Sequence, residues 1–168
     1  MLKMYTTQLA GLLQRVSKQE ETLEEGARLL AQAAAGEGTM YVKPFGNMSS
    51  LSVDHLPGQH PAIVPLRDDT QLSATDRIVL LTDDHNDPTF YTLCQTLATD
   101  FLPYFVVSIG ELSNIATEKA SVHLTVPMQK GLIPKEDGSR VGYPVEIVGR
   151  FVIEAVSLLL EELLEDIE

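Results

Sequence analysis

The sequence predicts an α/β protein, a three-layer α-β-α sandwich around a five-stranded parallel sheet. Two observations carry that prediction. Short apolar runs alternate with stretches of helical period along most of the chain. One of those runs, DRIVLLT at Asp76–Thr82, is continuously apolar after its first two residues, the pattern of a strand buried on both faces. Strands joined through helices imply right-handed crossovers, and therefore parallel neighbours covered on both sides.

The elements follow in order. Leu2, Tyr5, Leu9, Leu12, Leu13 and Val16 keep a helical period, as do Leu23, Ala27, Leu30, Ala31 and Ala34. Thr22 and Glu25 have capping-box spacing, so residues 1–36 read as two helices or one kinked rod, ended by Gly36 and Gly38. Thr39–Phe45 is the first strand and leads into GNMSS, with Ser49 and Ser50 near a helix start. Pro57 and Gly58 limit that helix to two turns.

Pro61–Leu66 is a short strand with prolines near its limits, suited to a sheet edge. After Asp76–Thr82, the residues Phe90, Leu93, Cys94, Leu97, Ala98 and Phe101 fall on one helical face. Tyr104–Gly110 and Ser121–Met128 are the remaining strands. A polar loop precedes a long final helix from Val145 to Glu165, striped by Val148, Val152, Val156, Leu160 and Leu164. One domain over residues 1–168 accommodates this: a helical segment (1–36), an α/β core (39–128) and a carboxy-terminal helix (145–168).

Composition excludes several functions. The chain has 168 residues, 44% hydrophobic and 21% charged, with a net charge of -12. Without a basic patch, nucleic acid is not an expected partner. The acids of residues 20–25 and 161–168 read as solvated helix faces. Cys94 is the only cysteine, so neither a disulfide framework nor a cysteine zinc site is expected. No apolar run approaches a membrane span and no leader is evident, which predicts a cytoplasmic protein away from membranes.

In sheets of this class, ligands bind beyond the carboxyl ends of the strands, near the point where strand order reverses. The loops after Phe45 and Thr82 are expected to meet there. In the first, Gly46 and Asn47 tolerate positive φ, and Ser49 and Ser50 add hydroxyls, a combination suited to an anion. The second is LLTDDHNDPTF, residues 80–90. Asp87 followed by Pro88 reads as an N-cap and first helical residue. Thr82, Asp83, Asp84, His85 and Asn86 remain as ligand-facing candidates beside it. Several carboxylates next to a histidine have the chemistry of a hard-cation site. Without apposed ligands from elsewhere, the turn reads as solvated acid, and no metal or cofactor is expected.

On these residues the chain resembles the single sugar isomerase (SIS) domains, and among them the phosphoheptose isomerases. VKPFGNMSS stands where that family has a strand and GNGGS; LLTDDHNDPTF stands where it has a strand, STSGNS and a helix. Gly46, Asn47 and Ser50 match the first loop, while Met48 and Ser49 replace glycines. Thr82 and Asn86 suit the second, whereas Asp83, Asp84, His85 and Asp87 occupy positions of hydroxyls and glycine.

The resemblance implies a flavodoxin-like sheet topology and a phosphorylated sugar as small-molecule ligand. It also implies self-association as a homodimer or homotetramer, to which the broad apolar faces of the first and last helices also point. The family's catalytic glutamate has no counterpart in LSVDHLPGQH, and its histidine on the last helix falls near Ile153. His55 is the remaining catalytic candidate. The leading expectation is sugar-phosphate binding at degenerate catalytic positions. The alternatives are an active aldose–ketose isomerase and a non-catalytic structural or regulatory oligomer. A phosphoacceptor receiver domain also carries paired acids, but after its first strand rather than its third.

Overall fold

The computed structural model describes residues 1–54, 56–112, 118–128 and 130–167. Its centre is a five-stranded parallel sheet formed by β1 (Met40–Pro44), β2 (Ile63–Pro65), β3 (Arg77–Thr82), β4 (Tyr104–Ile109) and β5 (Val122–Val126). The strand order is β2-β1-β3-β4-β5, so the order reverses between β1 and β3. The predicted strands are all present, each trimmed by one to three residues in all. The proline-limited β2 is the edge strand that its sequence suggests.

Helices flank both faces. On the first lie α1 (Leu2–Ser17), α2 (Glu20–Ala35) and the carboxy-terminal α4 (Val145–Glu165); on the second lies α3 (Pro88–Thr99). The distribution follows from crossover hand. Met48, Leu51 and Val53, in the β1–β2 connection that steps one way, pack with α2 and α4. Leu66 and Leu72 in the β2–β3 connection, and α3 in the β3–β4 connection, step the other way and pack on the second face.

Alternation along β1 divides its side chains accordingly. Met40 and Val42 enter the first core, whereas Tyr41 and Phe45 pack in the second.

Three local expectations change. The amino-terminal segment is two helices, but the break is at Lys18 and Gln19. Thr22 and Glu25 lie inside α2, so no capping box operates there. GNMSS is itself a 3₁₀ turn, Gly46–Ser50, and among the described residues no helix stands between it and β2, because Leu51 already has extended backbone. The polar loop before α4 contains a two-stranded antiparallel hairpin, β6 (Ile133–Pro134) with β7 (Arg140–Val141). No helix among the described residues is long and apolar enough to cross a membrane.

Candidate functional site

The loops after β1 and β3 meet, and Asp83 joins them. Its carboxylate accepts the Asn47 backbone N–H at 2.8 Å, the Asn47 amide Nδ2 at 2.8 Å and the Tyr143 hydroxyl at 3.1 Å. Asp83 is only 9% exposed, so these donors replace water around a charge that would otherwise be costly to bury. Gly46 makes the approach possible. It has φ +62°, and a β-carbon there would stand 2.3 Å from Asp83 Oδ1. Burial, and then the neighbouring Asp83 charge, raise the Tyr143 pKa above its ordinary value, keeping the hydroxyl a neutral donor.

The remaining acids of LLTDDHNDPTF face separate tasks. Asp84 is exposed; its Oδ1 accepts the Asn86 N–H at 2.9 Å, and its own N–H donates to Thr82 Oγ1 at 3.2 Å. Asp87 caps α3, accepting the Thr89 N–H at 2.9 Å and the Phe90 N–H at 3.4 Å. His85 is exposed, and its carbonyl accepts the Tyr91 hydroxyl at 2.8 Å. These carboxylates do not converge. Among the described residues no group of three or more His, Cys, Asp or Glu side chains is placed to hold a metal.

In the first loop the hydroxyls are also engaged. Ser49 Oγ donates to the Gly46 carbonyl, and the single Ser50 hydroxyl proton is shared between the Asn47 carbonyl, 2.8 Å from Oγ, and the Glu146 carboxylate. Gly46, Asn47, Ser50, Asp83 and Tyr143 thus form a hydrogen-bonded stitch across the switch point. His55 lies outside the described residues.

A cleft of about 400 Å³ opens beside this stitch, on the second face. Its floor is Lys43 and Phe45 of the β1 end, and its walls are Leu66–Leu72 and the first turns of α3, including Thr89, Leu93 and Thr96. The cause is topological. The β2–β3 connection passes over β1 without forming a helix, so one crossover helix is missing from this layer. Lys43 Nζ pairs with Asp68 Oδ1 at 3.0 Å; the lysine side chain is 21% exposed and the aspartate 96%. The ammonium lies 5.7 Å from the Phe45 ring centroid. Arg67 pairs loosely with Asp54 at 3.3 Å.

Sequence reasoning did not single out Lys43, Arg67 or Tyr143. Strand alternation in YVKPF places Lys43 on the same face as Phe45, a signal that was available. Tyr143 reaches Asp83 across 60 residues, and no local pattern announces that contact.

Cys94 is buried in α3, and burial pushes its thiol pKa up to about 12. Between β4 and β5, Ser108 Oγ donates to the Gly110 carbonyl at 2.8 Å and lies 2.8 Å from His123 Nε2. Ser108 is fully buried, so this pair is a tether for the β4 end and not an accessible nucleophile.

Among solved structures, the chain is similar to one described as a hypothetical protein, with a TM-score of 0.61 and 14% identity, covering 93% of this chain and 90% of that one. At that identity the likeness concerns the fold alone. In sequence it is 26% identical over 171 residues to "Uncharacterized protein YwjG" of Bacillus subtilis (strain 168), with 99% of each chain covered. The model of a domain of unknown function, DUF2529, matches residues 1–164, and the chain belongs to that family.

Proposed function

We propose that the protein is an SIS-type binding module for a phosphorylated carbohydrate derivative, which it holds without isomerising. The observation that carries this reading is the cleft beside β1. Its one deeply set cation, Lys43, is paired with a nearly fully exposed aspartate that a ligand can displace at little cost. The lining of Lys43, Arg67, Asp68 and the hydroxyls of Thr70, Thr89 and Thr92 suits a phosphate with a hydroxylated body. Phe45, Leu66, Leu72 and Leu93 suit the apolar edge of a sugar. The loops that the SIS resemblance marks border this region, but Asp83, Asp84 and Glu146 surround them with negative charge, which favours the neighbouring cleft for the phosphate.

Isomerisation through an enediol requires a positioned base and acid. Among the described residues the cleft lining contains neither histidine nor glutamate, and its one carboxylate, Asp68, is 96% exposed and paired with Lys43, which leaves it unfit as a positioned base. Thermal-shift titration with hexose and heptose phosphates tests the reading. A melting temperature that rises with ligand concentration is expected, and Lys43→Met abolishes the rise. Aldose–ketose interconversion followed by NMR is expected to stay at the uncatalysed level. No shift with any of these ligands, or a shift untouched by Lys43→Met, refutes the assignment.

We further propose that the chain pairs with a second copy through α1. Only Leu12 and Val16 of α1 are buried, leaving Leu2 and Met4 exposed and Tyr5, Leu9 and Leu13 half-covered. Light scattering at micromolar concentration is expected to give a dimer or larger symmetric oligomer; a monomer excludes it.

A further inference from the structure

We propose a second ligand site, for a small organic phosphate carrying at least two negative charges, at the carboxyl end of β5. A cleft of about 430 Å³ lies there between α1, the loop after β5 and the β6–β7 hairpin. Its charged lining is Arg15, Lys130 and Arg140, with no carboxylate among the described residues. This is the reverse of the chain's overall balance, in which 24 acids stand against 12 bases. None of the three cations joins an ion pair among the described residues, although six such pairs form elsewhere. Cations gathered without counter-charge repel one another, and an anion between them relieves that repulsion.

The geometry favours a phosphate over a single charge. Arg140 is held by its own backbone surroundings, Nε donating to the Gly131 carbonyl at 2.6 Å and Nη2 to the Leu132 carbonyl at 3.1 Å. That anchoring removes much of the entropy a flexible arginine loses on binding and leaves Nη1 for a ligand. Arg15, in the last turn of α1, and Gln8 two turns earlier face the cleft from the opposite wall. The Arg15 guanidinium fork, the remaining Nη1 of Arg140 and the Lys130 ammonium suit the several oxygens of a phosphate, and the Gln8 amide suits a hydroxyl on its organic part. The volume suits a ligand larger than an inorganic ion.

This site is separate from the cleft beside β1, and its test is independent of the reading proposed there. Calorimetric titration with inorganic pyrophosphate at constant ionic strength is the measurement, on wild type, Arg15→Gln, Lys130→Gln and Lys43→Met. Arg15 and Lys130 are exposed and outside every ion pair among the described residues, so their variants should keep the native melting temperature. Wild type is expected to bind saturably. Each of the two cleft variants should weaken binding about tenfold or more, and Lys43→Met should leave it unchanged. Absence of saturable binding overturns the proposal, as does unchanged affinity in both cleft variants. Loss of binding in Lys43→Met would assign the phosphate to the other cleft. Citrate binding as tightly as pyrophosphate would show general charge attraction and would likewise overturn the phosphate assignment.

Discussion

The two faces of the sheet are built differently. On the first, α1, α2 and α4 cover the strands with a continuous core that includes Leu30, Val42, Leu81, Phe105 and Val152. On the second, α3 covers β3 and β4 through Phe90, Cys94 and Leu97, while the helix-free stretch after β2 leaves the region over β1 open. The same strands therefore serve a sealed layer and an incomplete one. A cleft in this fold does not need a special motif; it needs one crossover that fails to become a helix.

Deleting buried volume tests that contrast most strongly. Leu30→Ala, at a fully buried site of the first face, should destabilise the protein by about 3 kcal/mol, because tightly packed neighbours cannot collapse into the void. Leu93→Ala on the cleft wall should cost about 1 kcal/mol, since that side chain already borders open space. Urea unfolding of both variants measures the difference. Equal losses would mean that the cleft wall is packed as firmly as the core.

The adjacent acids Asp83 and Asp84 provide a second contrast. Asp83→Ala removes the acceptor of the Asn47 N–H, the Asn47 amide and the Tyr143 hydroxyl and should cost about 1–3 kcal/mol. Asp84→Ala loses one exposed turn contact and should cost less than about 1 kcal/mol. A near-equal pair of values would remove the distinction between a stitch and a solvated turn.

The smallest effect concerns pH. Burial lowers the His123 pKa from its ordinary 6.5. The unfolded chain then binds this proton more readily than the folded one. Its contribution to stability is therefore present above about pH 6.5 and declines as pH falls from there towards the lower folded value. His123→Gln should flatten that part of the stability profile. An unchanged slope between pH 7.5 and 5.5 would show that this imidazole is not the group responsible.

Periodicity and composition made the fold legible. Continuous apolar runs can be satisfied only by burial on both faces, and alternation with helices selects parallel pairing; the strands from β1 to β5 follow from that. Asp87 and Pro88 were legible for a similar reason, because a cap acts within three residues of itself. The meeting of the loops at Gly46 and Asp83 was legible from topology. What each side chain does there was not: three acids in five residues look alike in sequence, and only their partners separate them.

The sequence by itself determined the order of the five sheet strands and of the helices α1 to α4, the edge position of β2 and the capped start of α3, since each depends on neighbours a few residues away. Tertiary structure alone decided that Tyr143 completes the Asp83 stitch and that the missing crossover helix exposes Lys43. It alone brought Arg15 of α1 against Lys130 and Arg140, more than a hundred residues later, in one cleft. The physical reason is range. Backbone propensity and apolar period act locally, whereas a charge or hydroxyl acquires its role from whatever the folded chain brings within hydrogen-bond reach.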